Sequence, residues 1–192
     1  MEKSPRKKHK PRKVTAKSLE NAAVYYLQRF ASSSANFRRV MMRRVDRSAR
    51  FHGTDRDEGA KMVDGLIRRF IDNGLLNDLA YAEALAGSRH RRGASRRTVF
   101  VKLKQKGLDD EIIRAAVDAL ADETDEPELA AAVILARRRR LGPFRPNNQR
   151  ASLRDKDMAA LARAGFGYDM VVKVIDAETA LELEEEVETG QI

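Results

Sequence analysis

The side chains best placed to engage a ligand lie in SRHRRGASRRTVFVKLKQKGLDDEII, residues 88–113. Eight of its first nineteen residues are Lys or Arg, and the charge then flips to Asp109, Asp110 and Glu111. Cations at this density attract polyanions, either a nucleic-acid backbone or an acidic protein surface. Gly93 divides the run. Arg89, Arg91 and Arg92 fall at the end of one helix, where the macrodipole stabilises cations by ~0.3–1 kcal/mol. Arg96 and Arg97 fall in the first turn of the next, where the same dipole opposes them, so this pair asks for a compensating anion. Arg97 and Lys104, seven residues apart, share one side of that helix, and Lys102 and Lys106 form another edge. Arg137, Arg138, Arg139 and Arg140 make a second cluster at a helix end. Arg38, Arg39, Arg43 and Arg44 mark the outer face of an earlier helix.

Other chemistry finds little support. There is no GxxxxGK[ST] phosphate loop, and GFGYD at 165–169 is a Gly-apolar turn that opens too late for a dinucleotide site. His9, His52 and His90 have no metal-ligand spacing, Cys is absent, and His90 is expected in solvent between its Arg neighbours. Ser, His and Asp occur in no recognisable nucleophile context. No catalytic residue, metal site or cofactor is expected. Most aromatic residues, including Tyr25, Tyr26, Phe37, Phe70, Tyr81, Phe100 and Phe166, fall on apolar stripes and are expected in the core rather than as base-stacking platforms. Phe144, in a Pro-rich loop, is the expected exception.

The elements that must position these residues are helices. Val, Ile, Thr and aromatic residues never gather into alternating runs, so strands have little support. Ser18 is placed to cap a first helix with Leu19, Ala22, Ala23, Tyr26, Leu27 and Phe30 inward. A second follows SSS at 32–34, a polar connector spans 46–56, and a third carries Met62 to Ile71 before Asn73-Gly74. Asp78, Ser95 and Asp109 are placed to cap three more, the first with Tyr81, Ala84 and Leu85 inward. Another round opens at Pro127, passes the loop GPFRPNNQ to a helix over 153–164, and ends on 168–175. At a fixed offset of 58, Leu103, Gly107, Leu108, Ile112, Ile113 and Val117 correspond to Leu161, Gly165, Phe166, Met170, Val171 and Ile175. The expected fold is all-α: three tandem three-helix repeats over 18–75, 76–124 and 125–177, in an elongated, curved arrangement. A disordered basic arm, 1–17, precedes them and an acidic tail, 178–192, follows.

Charge and composition bound the function. The 192 residues carry 38 Lys and Arg against 29 Asp and Glu, net +9. Residues 1–17 contribute +7 and residues 181–192 contribute −5, so the middle keeps +7. The N-terminus has charge but no apolar segment of a secretory signal, and no run reaches the ~18 apolar residues of a membrane span. The absence of Cys fits a reducing compartment, and a cytoplasmic monomer is expected. Sequence-specific readout is disfavoured: the helix placed to read bases, DDEIIRAAVDAL, is acidic and would repel phosphates.

Three stretches resemble the RecX family of regulatory proteins: GLLNDLAYAEAL (74–85), the basic run 88–113, and LARAGFGYDMVVKVI (161–175). The resemblance spans about residues 18–176. It departs in the first unit, where Arg44-Val45-Asp46 and a longer connector with Phe51-His52-Gly53 replace a Lys-Gly-apolar turn. The resemblance implies three tandem three-helix repeats that bind along the RecA–DNA filament. It implies inhibition of ATP hydrolysis, strand exchange and co-protease activity, and so a role in recombinational repair and the SOS response. Arg89, Arg91, Arg92, Arg96, Arg97, Lys102, Lys104, Lys106 and Arg137 to Arg140 are the expected contact surface, meeting RecA, DNA backbone or both. Arg38, Arg39, Arg43 and Arg44 are a secondary one. The alternative is a basic helical-repeat protein that binds nucleic acid without sequence specificity; a sequence-specific transcription factor ranks third.

Overall fold

The computed structural model describes residues 11–122 and 126–189. Among them there are helices, turns and loops and no strand. The chain divides into two compact units, Met1–Asn77 and Asp78–Ile192.

The first unit holds α1 (Ala16–Leu27), α2 (Ser34–His52) and α3 (Arg56–Asp72). A capping box starts α1: Thr15 Oγ1 accepts from the Ser18 amide, and Ser18 Oγ accepts from the Thr15 amide. Ser18 is therefore the third residue of the helix rather than its cap. Helix α1 stops at Leu27, so Phe30 lies beyond it and is 56% exposed instead of inward. The stretch expected as a connector over 46–56 is mostly helix, because α2 continues to His52 and stops at Gly53. The inward positions Met41, Val45 and Ser48 keep the helical period, but Ser48 breaks the apolar signal. Ser48 is fully buried, receiving hydrogen bonds from the Val14 amide and the Thr54 hydroxyl, each at 2.9 Å.

That bond corrects part of the expected arm. Residues 11–17 are tied to this unit: Val14 packs on its core, His52 Nε2 donates to the Pro11 carbonyl at 2.7 Å, and α1 begins at Ala16. Residues 1–10 lie outside the described residues. Leu19, Ala23, Phe37, Met41, Val45, Val63 and Phe70 form the core, with the Phe37 and Phe70 rings 5.9 Å apart. Each fully buried large side chain here contributes about 1.5–3 kcal/mol.

The second unit holds α4 (Asp78–His90), α5 (Arg96–Gln105), α6 (Asp110–Asp118), a 3₁₀ turn (Ala119–Asp122), α7 (Pro127–Arg139), α8 (Asn147–Arg163), α9 (Tyr168–Asp176) and α10 (Ala180–Thr189). Its buried apolar residues gather in two clusters, one within α4–α6 and one within α7–α10. The 58-residue correspondence is structural. Leu103 and Leu161 are fully buried, Leu108 and Phe166 nearly so, and Ile113 and Val171 likewise. Gly107 and Gly165 both take positive φ, 79° and 95°. Each donates to the carbonyl three residues back, at 2.9 Å, and the following amide donates to the carbonyl of Leu103 or Leu161. Both turns thus close the helix before them in the same left-handed way, which a Cβ would strain.

Three expectations are corrected here. Helix α8 starts at Asn147, inside the stretch expected as loop. The acidic tail is not wholly outside the folded unit, because α10 inserts Leu183, 3% exposed, into the second cluster, with Val187 packed beside it. Phe144, expected as an exposed contact, is half-buried against the same cluster.

Candidate polyanion-binding surface

Helix α4 buries Ala82, Ala86 and His90, one face at steps of four. That stripe is turned by one residue from the expected one through Tyr81, Ala84 and Leu85. His90 is consequently buried, at 5% exposure, and not solvated. The same turn sends Arg89, Arg91 and Arg92 outward.

The segment after α4 is fixed by its neighbours. Gly93 sits at φ 82°, and a Cβ there would lie 2.9 Å from the Leu135 amide nitrogen of α7. Arg138 Nη1 donates to the Arg92 carbonyl at 2.9 Å. Ser95 caps α5 by accepting from the Thr98 amide, and it donates to the Ala164 carbonyl at 2.7 Å. Thr98 Oγ1 donates to the same carbonyl at 2.8 Å. The start of α5 is therefore locked onto the turn between α8 and α9.

This packing sorts the basic residues by partner. Arg96 is answered within the chain: its side chain binds Asp118 at 2.9 Å and its amide binds Glu128 at 3.0 Å. Burial pushes the Glu128 carboxyl above its ordinary value, against the opposing pull of Arg96. Lys104 pairs with Asp110, whose carboxyl that hydrogen bond holds below the usual range. Arg137 pairs with Glu184 of α10. On α2, Arg38 makes a two-point pair with Asp64, at 2.7 and 3.2 Å. Arg39, Arg43 and Arg44 are exposed on the same helix, and Lys106 is half-buried at the end of α5.

Arg97 differs. It is exposed and makes no ion pair among the described residues. With Lys102 and Arg163 it lines a cleft of about 280 Å³ between α5 and α8, beside Val101, which is 47% exposed. The structure therefore groups Arg97 with Lys102 and Arg163, while Lys104 turns to α6. Arg163 was missed by sequence reasoning. It lies in a segment that reads only as helix and turn, and its relation to Arg97 exists only once Gly165 packs on Ser95, whose Oγ would lie 2.6 Å from a Cβ there. Arg89, Arg92, Arg139 and Arg140 are also exposed cations of this unit without an ion pair among the described residues.

Known proteins resemble the chain over most of its length. The family model for the RecX second three-helix domain matches residues 77–117. A regulatory protein RecX from Myxococcus xanthus is 45% identical over 172 residues, covering 89% of this chain and 91% of its own. The regulatory protein RecX of Agrobacterium fabrum is 32% identical and covers 83% of this chain and 82% of its own. In fold, the chain is similar to a crystal structure of RecX from Lactobacillus salivarius, with TM-score 0.57 and 22% identity over 91% of this chain and 97% of that one.

Proposed function

Because the chain belongs to the RecX family of regulatory proteins, we propose that it is a non-enzymatic regulator that binds the RecA–DNA filament and inhibits RecA. The three-helix groups α1–α3, α4–α6 and α7–α9 act as three tandem modules, and the contact is made to RecA carboxylates and DNA phosphate without base reading. The observation that carries the choice of surface is the α5–α8 cleft. Arg97, Lys102 and Arg163 converge there, and no carboxylate of the described residues lines it. Like charges brought together in this way repel one another until an anion arrives. The neighbouring Arg96, Lys104 and Arg137 are already neutralised from within, so they contribute less.

The test is RecA-dependent ATP hydrolysis on single-stranded DNA. Inhibition is expected at concentrations too low to displace RecA by competing for DNA. Absence of inhibition under those conditions overturns the reading and leaves the basic nucleic-acid-binding alternative. An Arg97→Glu/Arg163→Glu variant is expected to inhibit poorly; undiminished inhibition would place the contact elsewhere.

A further inference from the structure

The chain carries a second basic cleft, in the first unit, of about 410 Å³. That lies within the ~300–1,000 Å³ of ligand clefts. Arg12 and Lys13 approach it from the N-terminal segment, Arg44 and Arg47 from α2, and Tyr25 from α1. Every one of these side chains is exposed, and none of the four cations makes an ion pair among the described residues. Among the described residues, no acidic one lines the cleft. Three other cations of this unit do have acidic partners: Arg38 with Asp64, Arg56 with Asp46 and Arg69 with Glu20.

The cleft is also held in shape. Arg12 and Lys13 stand between two anchors, the His52 bond to Pro11 and the Val14 bond to Ser48. Their backbone is thus fixed before a ligand arrives, which lowers the entropy lost on binding. Arg44 and Arg47 are one helical turn apart and share a face. Tyr25 is 53% exposed, and the Arg29 guanidinium lies over its ring at 4.3 Å. An exposed ring stacked on one side by a cation offers a platform for a base.

We propose that this cleft binds single-stranded nucleic acid. Arg12, Lys13, Arg44 and Arg47 take consecutive phosphates, and Tyr25 stacks one base. A single strand fits better than a duplex, because a stacked base must be unpaired to reach a ring at the cleft wall. The site is argued independently of the α5–α8 cleft, so its binding measurement contains no RecA, and RecA inhibition is read separately.

The experiment is fluorescence anisotropy of a labelled oligo(dT) with the full chain, at several salt concentrations. Arg44→Gln/Arg47→Gln and Arg12→Gln/Lys13→Gln are each expected to weaken binding at least tenfold. The slope of log K against log salt should fall by about 0.7 for each phosphate that is no longer neutralised. Tyr25→Ala is expected to weaken binding at least fivefold with the slope unchanged. Circular dichroism melts confirm that the variants fold; these side chains are exposed, so melting should not move. Unchanged affinity and slope in both paired variants overturn the proposal. So does equal affinity for duplex together with an unaffected Tyr25→Ala. If the variants keep oligo(dT) binding but lose RecA inhibition, the cleft takes an acidic protein surface and the nucleic-acid assignment is wrong. If RecA inhibition fails in the wild type while oligo(dT) binding responds as described, this site stands and the RecA reading falls.

Discussion

The Asp157 carboxylate is almost fully buried, and burial alone would push it toward its neutral form. Arg145 answers with two bonds, at 2.9 and 2.7 Å, and the Gly142 amide adds a third at 3.0 Å. Together they more than offset the burial, so the group lies below its ordinary value. A lowered carboxyl contributes stability that is complete above its unfolded value, about 3.9, and is lost as pH falls through the folded value. Asp157→Asn is therefore expected to cost about 3 kcal/mol at pH 7, and its deficit against wild type should shrink below about pH 4. Urea unfolding followed by circular dichroism at the two pH values measures both. Among surface cations the same logic of partners predicts unequal effects. Lys104 is half-exposed and already paired with Asp110, and such surface pairs are worth about 0–1 kcal/mol. Arg97 has no such ion pair among the described residues to give up. Arg97→Gln should weaken RecA inhibition about tenfold, whereas Lys104→Gln should weaken it less than about threefold. Equal losses, measured as inhibitor concentrations at half-maximal ATP hydrolysis, would mean that Asp110 does not compete for Lys104.

At the scale of elements, one turn joins two cores. Gly93 lies within van der Waals overlap of the α7 backbone for any added Cβ, and its φ is positive. Gly93→Ala should therefore combine backbone strain with a steric clash and cost about 2–4 kcal/mol. Thermal melting should show the loss, and a melting temperature within a degree of wild type would mean the turn can move away from α7. Helices α3, α5, α6 and α9 were legible in the sequence because their apolar positions repeat at helical spacing. So was the Gly107–Gly165 correspondence, because both glycines close the same turn. What stayed hidden has specific causes. Ser48 occupies an inward position of α2 with a hydroxyl that its neighbours satisfy, so the helix reads as a polar connector. His90 continues the Ala82–Ala86 face, but its Arg neighbours suggest solvent. Helix α10 buries chiefly Leu183 and Val187, too few apolar positions to stand out among five glutamates. The cleft of Arg97, Lys102 and Arg163 joins residues about 60 positions apart, and no local pattern reports that meeting.

Over the whole molecule, the charge is divided between the folding units more sharply than along the sequence. Residues 1–77 hold 19 basic and eight acidic side chains, net +11, whereas residues 78–192 hold 19 basic and 21 acidic, net −2. The basic run that dominates the sequence thus lies in the unit with the weaker overall field. Five of the 21 acids are in α10, where Glu184 and Glu186 are paired to Arg137 and Lys173, and Glu182, Glu185 and Glu188 make no ion pair among the described residues. The two sets act differently on an approaching polyanion. The acids without an ion pair act on it through the long-range field, which steers association and is screened over about 8 Å at physiological salt. The paired ones also withhold Arg137 from contact. Glu182→Gln/Glu185→Gln/Glu188→Gln should accordingly raise the association rate for single-stranded DNA at low salt, leave the dissociation rate unchanged, and lose its advantage near 0.5 M salt, roughly the range where screening is short. Glu184→Gln should instead slow dissociation of the RecA filament complex by exposing Arg137. Stopped-flow association and dilution-induced dissociation separate the two, and a rate increase from the triple variant that persists at high salt would show that these glutamates do not act through the long-range field.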